Sequence, residues 1–105
     1  MVLRLISLSL VGCFISCGSP EIKTTHLAKT GVQLYKTYCQ SCHGENGDAK
    51  RGGAANLITS RLSEKEIRKI ILYGNDNGMM AYKDLLQNEQ ELDSLVSHVK
   101  ELRTK

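Results

Sequence analysis

The stretch Cys39-Gln40-Ser41-Cys42-His43 decides how this chain is interpreted. Two cysteines separated by two residues and followed at once by a histidine form the attachment pattern for c-type haem. Haem carries two vinyl groups on neighbouring pyrroles, and two thiols one helical turn apart can each add across one of them. The next residue then lies under the ring, where an imidazole nitrogen reaches the iron. The stretch therefore predicts two covalent anchors, Cys39 and Cys42, and an axial iron ligand, His43.

Two other uses of a Cys-x-x-Cys pair fit the rest of the chain poorly. A redox disulfide expects a strand–helix–strand context, and the sequence contains no convincing β-strand. A zinc site needs a second pair of ligands at suitable spacing. The candidates for that pair are two leader cysteines and two isolated histidines: Cys13, Cys17, His26 and His98. The haem interpretation is therefore the stronger one.

The composition bounds the protein to one small domain with a thin core. The chain has 105 residues and a formal net charge of +3. That charge is too small to indicate a nucleic-acid partner, and no basic stripe is interleaved with aromatic residues. There is no Trp, and the single Phe, Phe14, lies in the leader. A domain of about 80 residues with so few aromatics usually needs an additional stabilising element such as a cross-link or a bound metal. A covalently held haem would be such an element.

Residues 1–17 have the composition of an export signal. Arg4 is their only charge. The apolar stretch that follows, Leu5 to Ile15, is too short to span a bilayer. It therefore predicts a signal peptide.

Two segments of this leader resemble the lipobox of bacterial lipoproteins, in which a cysteine is acylated and becomes the mature N-terminus. One ends at Cys13 and the other at Cys17. We predict lipidation of Cys17, because the polar residues 18–25 follow it as a tether, and Cys13 is the alternative. An ordinary signal peptide with incidental cysteines is a third interpretation. Each one exports the remaining domain, residues 26–105, to the periplasmic side of a bacterial membrane.

Apolar residues at helical spacing predict three principal helices, and hence an all-α fold. The first helix has Leu27, Gly31, Leu34, Tyr35 and Tyr38 on one face and runs straight into the attachment stretch. Glycine lowers helix propensity, which makes sense at Gly31 if another helix must approach closely. The glycine-rich residues 44–60 predict a loop that wraps one edge of the haem.

The other two helices have clear starting signals. Ser63 and Glu66 predict a capping box at the start of the second helix, and Gly74 predicts its end. Asn88 and Glu91 predict a cap and box at the start of the third. Their apolar stripes would form most of the core: Ile67, Ile70 and Ile71 in the second helix, and Leu92, Leu95, Val96, Val99 and Leu102 in the third.

A second iron ligand is predicted between these two helices. After a turn at residues 75–78 come two adjacent methionines, Met79 and Met80, outside any helical stripe. A thioether is a soft, neutral ligand that favours ferrous iron and raises the reduction potential.

With these features in place, residues 27 to about 103 resemble a class I cytochrome c of the single-haem bacterial kind. Gly31, Tyr35 and Cys39 match the spacing of a glycine, an aromatic and the first haem cysteine in that family. The resemblance places Ala55 where the family has a proline, whose carbonyl accepts a hydrogen bond from the haem histidine. The segment Gly78-Met79-Met80-Ala81-Tyr82-Lys83-Asp84 resembles the family's Gly-Met-Pro-Ala-Tyr-Lys-Asp. Met79 is then the expected axial ligand, and Met80 is the alternative.

The resemblance implies a one-electron carrier and not an enzyme. Its expected partners are an oxidase, a quinol-oxidising complex, or a periplasmic dehydrogenase or reductase. Lys50, Arg51 and Lys83 are candidates for steering an acidic partner, or they form an ordinary solvated surface. His98 is expected to be a helix-contact residue and His26 to be exposed. The alternative function is a haem domain with an open or labile distal site, suited to ligand binding or peroxide chemistry.

Overall fold

In the part of the chain that the computed structural model describes, residues 11–18 and 27–105, the protein is helical and contains no strand. Its α-helices are α1 (Gly31–Tyr38), α2 (Gln40–His43), α3 (Glu64–Tyr73) and α4 (Glu89–Glu101). Single 3-10 turns lie at Arg51–Gly53 and Leu102–Thr104. The all-α prediction with three principal helices is confirmed, and α2 is an additional short one. Among the described residues no helix has the length and apolar character needed to cross a membrane.

Helix α1 begins later than the apolar spacing suggested. The Thr30 hydroxyl accepts a hydrogen bond from the Gln33 amide at 3.2 Å, and the Gln33 side chain accepts one from the Thr30 amide at 2.9 Å. This reciprocal capping box starts the helix at Gly31. Leu27 lies outside the helix and is 87% exposed, so its assignment to the buried face was wrong. His26 lies outside the described residues.

Helix α3 has the predicted boundaries. Ser63 and Glu66 form the capping box, and the helix ends at Gly74. Ile67 and Ile71 are buried, and Ile70 is partly buried.

The start of α4 differs from its prediction in one respect. Asn88 caps the helix by accepting a hydrogen bond from the Glu91 amide at 2.9 Å. The Glu91 carboxylate does not complete a capping box with Asn88. It accepts hydrogen bonds from the backbone amides of Lys29, at 2.9 Å, and Gln87, at 3.0 Å, and it is completely buried. The predicted box was wrong because these two amides, brought close by the fold, are the partners of the carboxylate.

Helices α1 and α4 cross at the centre of the core. A Cβ atom added to Gly31 would collide with the backbone carbonyl of Ser94 and lie 3.0 Å from the Cβ of His98. The close approach predicted from Gly31 is therefore confirmed. The predicted stripe of the third helix is buried in full: Leu92, Leu95, Val96 and Val99 in α4, and Leu102 in the 3-10 turn that follows it.

His98 is a contact residue of this crossing, as predicted. Its ring is buried and lies 4.9 Å from the ring of Tyr35, centroid to centroid. Burial lowers the pKa of His98, so the imidazole is neutral at pH 7. The crossing therefore joins a neutral imidazole of α4 to the α1 tyrosine that stands four residues before Cys39.

Candidate haem site

The attachment stretch lies at a break between α1 and α2. The Cys39 amide still donates to the Tyr35 carbonyl at 2.8 Å, as α1 requires. The amides of Cys42 and His43 then both donate to the Cys39 carbonyl, at 3.3 and 3.0 Å. The tightened turn leaves Cys39 buried, Cys42 exposed and His43 buried, and both thiols are free. Burial raises the pKa of the Cys39 thiol to about 11, so it is protonated at neutral pH.

The imidazole of His43 has one identified partner. Its Nδ1 lies 3.0 Å from the carbonyl oxygen of Ala55. A carbonyl only accepts, so Nδ1 carries the hydrogen, and in the neutral ring the lone pair is then on Nε2. This is the tautomer and orientation that a histidine needs to bind a metal through Nε2, and a backbone acceptor is a common way to impose it.

The loop that supplies Ala55 is tied to the attachment stretch at several points. The Tyr35 hydroxyl donates to the Gly44 carbonyl at 2.6 Å, and the Ala49 amide donates to the His43 carbonyl at 3.0 Å. Arg51 donates through one guanidinium nitrogen to the two carbonyls between the cysteines, those of Gln40 and Ser41, at 3.3 and 3.1 Å. These hydrogen bonds hold the loop against the stretch.

In the sequence, Arg51 was a candidate only for steering an acidic partner or for an ordinary solvated surface. Its role at the carbonyls of α2 was missed because this helix has four residues and the last C=O groups of a helix have no helical partner; the Gln40 carbonyl, by contrast, also accepts from the Gly44 amide at 2.8 Å. No short-range pattern in the sequence indicates which side chain will satisfy them.

Met79 is carried by what we call the distal loop, residues 74–86. The loop leaves α3 at Gly74, which has a positive φ of 72°, and a Cβ there would collide with the Met79 carbonyl. Asn75 then holds Met79 from both sides. The Asn75 amide donates to the Met79 carbonyl at 3.1 Å, and its side-chain oxygen accepts from the Met79 amide at 3.1 Å. Glycine at the turn and asparagine after it therefore set the position of this methionine.

The two methionines differ in burial. Met79 is partly buried and packs against the core, whereas Met80 is 58% exposed. Asn75 was not singled out in the sequence as a site residue. An asparagine directly after the glycine that ends a helix is, however, a recognisable signal for a side-chain-closed turn.

Several apolar side chains pack against the core but stay partly exposed in the polypeptide alone. They come from α1, α3, the glycine-rich loop and the distal loop: Tyr38, Leu57, Leu72, Met79, Tyr82 and Leu86. A flat, apolar macrocycle is the kind of group that such a surface accommodates. Together with two thiols and an imidazole oriented by the Ala55 carbonyl, the residues present fit a covalently attached haem.

An all-α fold around a Cys-x-x-Cys-His stretch, with the histidine buried and oriented by a carbonyl, defines a single-haem c-type cytochrome. Residues 26–99 match the model of the family described as "Cytochrome C oxidase, cbb3-type, subunit III", and the chain belongs to that family. Its cofactor is covalently bound haem c.

Two individual proteins resemble this chain. The solved structure of the KustC0563 c-type cytochrome superposes with a TM-score of 0.63 at 26% identity, covering 71% of this chain and 99% of that one. A nitrite reductase of Stutzerimonas stutzeri is 28% identical over 102 residues, which cover 79% of this chain. The match spans only 17% of the length of that reductase.

Proposed function

We propose that this protein is a one-electron carrier whose haem is bound through Cys39 and Cys42 and whose iron is held by His43 and Met79. The supporting observation is the buried imidazole of His43 next to the two free thiols. Its Nδ1 is hydrogen-bonded to the Ala55 carbonyl, which leaves Nε2 for the iron. When bound, haem supplies an iron that changes between the ferric and ferrous states. Haem-based electron transfer is the activity that the family membership favours.

The protein's own contribution is to hold the ligands and to keep water from the ring. The partly exposed apolar side chains around Met79 would cover the macrocycle and lower the local dielectric constant. Both the apolar surroundings and a thioether ligand disfavour the extra charge of the ferric state. Met79 suits the ligand role better than Met80 because its backbone is fixed on both sides by Asn75 and its side chain faces the core.

The partners are inferred from the relatives and from the leader. A terminal oxidase or a nitrite reductase fits the names of the family and of the reductase relative; a quinol-oxidising complex or a dehydrogenase would be the donor. Lys50, Arg51 and Lys83 are all exposed and would steer an acidic partner surface. Acylation of Cys17, or of Cys13, would hold the exported domain at the membrane and raise its concentration near such complexes. Both cysteines are exposed in the described residues 11–18.

The test is to produce the full chain in a bacterial host that matures c-type cytochromes and to compare wild type with Met79→Ala and Met80→Ala. Mass spectrometry should find one added porphyrin per chain. The ferric wild type and Met80→Ala should be low-spin and show the weak far-red charge-transfer band of methionine ligation. Met79→Ala should lose that band.

Four outcomes would contradict parts of the proposal. An unmodified mass would reject the haem anchors, and loss of the band in Met80→Ala alone would exchange the two methionines. A high-spin wild type would favour the open-site alternative, with ligand binding or peroxide chemistry. The same mass spectrum reports the N-terminus: an acylated chain beginning at Cys17 supports the anchor, and an unacylated one rejects it.

A further inference from the structure

The carbonyl of Tyr38 is left without a helical partner by the break at Cys39. In a continuous helix the Cys42 amide would donate to Tyr38, but it donates to the Cys39 carbonyl at 3.3 Å. The Tyr82 hydroxyl occupies this position, donating to the Tyr38 carbonyl at 3.1 Å across 44 residues of sequence. A side chain of the distal loop thus completes the backbone hydrogen bonding of the residue that directly precedes the first haem cysteine.

The two tyrosines also contact each other through their rings. The centroids of Tyr38 and Tyr82 are 5.6 Å apart and the planes are inclined by 50°, a favourable tilted arrangement of aromatic rings. Both side chains are partly buried against the core. The pair therefore fixes the direction from which the Tyr82 hydroxyl reaches the carbonyl.

The other hydrogen bonds of the distal loop connect it to α3 or to itself. The amides of Tyr82 and Lys83 donate to the carbonyls of Ile71 and Leu72 at 2.9 and 3.2 Å, and Asn75 closes the loop on Met79. Within residues 27–105, the Tyr82 hydroxyl makes the one hydrogen bond between the distal loop and the segment from Tyr38 to Gly44. The loop that carries Met79 is thus joined to the side of the site that carries His43 by one hydrogen bond, beside the contact of the two tyrosine rings.

We propose that Tyr82 is a positioning residue for electron transfer: its hydroxyl latches the distal loop to the haem-attachment segment and so keeps the Met79 thioether at the iron. This inference rests on the proposed function, since it assumes that Met79 is the ligand. Without the latch, the distal loop remains attached to α3 but opens more readily on the side of the iron. The population with free ferric iron then increases.

The experiment measures how easily an external ligand replaces the methionine. Ferric holoprotein is titrated with imidazole, and loss of the far-red band reports displacement of Met79. Tyr82→Phe keeps the ring and removes the hydroxyl, so the apparent imidazole affinity should rise about fivefold, the change expected for one net hydrogen bond. Tyr38→Phe is the matched control, because the Tyr38 hydroxyl makes no hydrogen bond within the described residues. It should leave the affinity within about twofold of wild type.

A second control separates the latch from general stability. Thr30→Ala removes the cap at the start of α1, the hydroxyl that accepts from the Gln33 amide outside the haem site. It should lower the midpoint of chemical unfolding while leaving the imidazole affinity unchanged. Tyr82→Leu, which also removes the ring, serves as a second variant if Tyr82→Phe gives no holoprotein, and should raise the affinity at least as much.

The proposal is overturned if the Tyr82 variants bind imidazole like wild type, or if Tyr38→Phe and Thr30→Ala raise the affinity equally. These results differ from a failure of the proposed function. In that case the far-red band would be absent from the ferric wild type before any imidazole is added.

Discussion

The imidazole of His43 depends for its orientation on one backbone oxygen. Nδ1 lies 3.0 Å from the Ala55 carbonyl, and Ala55 itself is exposed in a loop. The sequence resemblance placed alanine where a proline is usual, which removes the ring that fixes φ. The carbonyl is retained, because the acceptor is a backbone group and does not depend on the side chain. Alanine in place of proline leaves this segment more conformations in the unfolded chain, so more entropy is lost when the loop folds.

Replacing Ala55 by proline should therefore stabilise the protein. Ala54 already has φ −58° and ψ 142°, the extended conformation preferred before proline, and the Ala55 amide donates to no acceptor within the described residues. We expect Ala55→Pro to raise the free energy of unfolding by about 0.5–1 kcal/mol and to leave the haem spectrum unchanged. Guanidinium titration of the holoprotein measures the effect.

Ala54→Pro is the matched control. It removes the hydrogen bond from the Ala54 amide to the Arg51 carbonyl and follows Gly53, whose φ is 82°. It should destabilise the protein. Equal destabilisation by both substitutions would show that the loop around Ala55 cannot accept the proline geometry.

Among the helices, the crossing of α1 and α4 has the tightest requirement on residue size. The backbone of Gly31 lies against the backbone of Ser94, so any side chain at position 31 must push the two helices apart. Tyr35, one turn further along α1, then packs on His98 and donates to the Gly44 carbonyl next to His43. A change in the crossing is thereby passed to the haem-attachment stretch.

Gly31→Ala should destabilise the protein although alanine is the better helix former. The added methyl group meets backbone atoms that cannot rotate away, and overpacking of this kind costs about 1–3 kcal/mol, which exceeds the gain of at most about 1 kcal/mol in helix propensity. Denaturant unfolding of the holoprotein checks this. Val32→Ala is the control, since Val32 is the next residue of α1 and is 58% exposed; its effect should stay near 0.5 kcal/mol. A more stable Gly31→Ala would mean that the helices separate without cost.

For the molecule as a whole, Glu91 joins three parts of the chain. Its carboxylate, buried in the first turn of α4, accepts from Lys29 ahead of α1 and from Gln87 at the end of the distal loop. The hydrogen bonds from the Gln87 and Lys29 amides hold the pKa of Glu91 below its ordinary value of 4.5. Because the folded pKa is the lower one, this stabilisation is present above pH 4.5 and is lost as the pH falls through the folded pKa.

Glu91→Gln should therefore cost most at neutral pH. The glutamine side chain has one acceptor oxygen, and its NH₂ group faces one of the two backbone N–H groups, which then has no acceptor. We expect the free energy of unfolding to fall by about 1–3 kcal/mol at pH 7. The difference from wild type should shrink as the pH falls below 4.5 and through the folded pKa of Glu91, because the wild-type carboxylate then becomes protonated and loses its charge. Urea unfolding across this pH range measures both effects.

Glu89→Gln provides the control from the same helical turn. Glu89 is exposed and, among the residues that the structure describes, pairs only with Arg68, at 3.9 Å. Exposed pairs of this kind contribute little. Its effect should be small at every pH. An equal and pH-independent loss of stability in both variants would show that Glu91 does not stabilise the protein through its hydrogen bonds with the Lys29 and Gln87 amides.

The local features of this protein could be predicted from short stretches of sequence. Cys39, Cys42 and His43 are one helical turn of chain, and the Ser63 start and Gly74 end of α3 depend on hydrogen bonds within four residues. The apolar stripe of α4 follows from its periodicity, and the glycine at position 31 indicated a close helix contact. Each of these depends on neighbours in sequence, so the residue types alone carry the information.

The tertiary structure alone decided which distant groups meet. Glu91 has the sequence of a capping-box residue, yet its carboxylate binds the amide of Lys29, 62 positions away, together with that of Gln87. The Tyr82 hydroxyl finds the Tyr38 carbonyl only because the break at Cys39 frees it, and burial separates Met79 from the adjacent Met80. A buried polar group needs a hydrogen-bond partner within about 3 Å. The fold decides which group lies at that distance, and the order of residues along the chain does not reveal it.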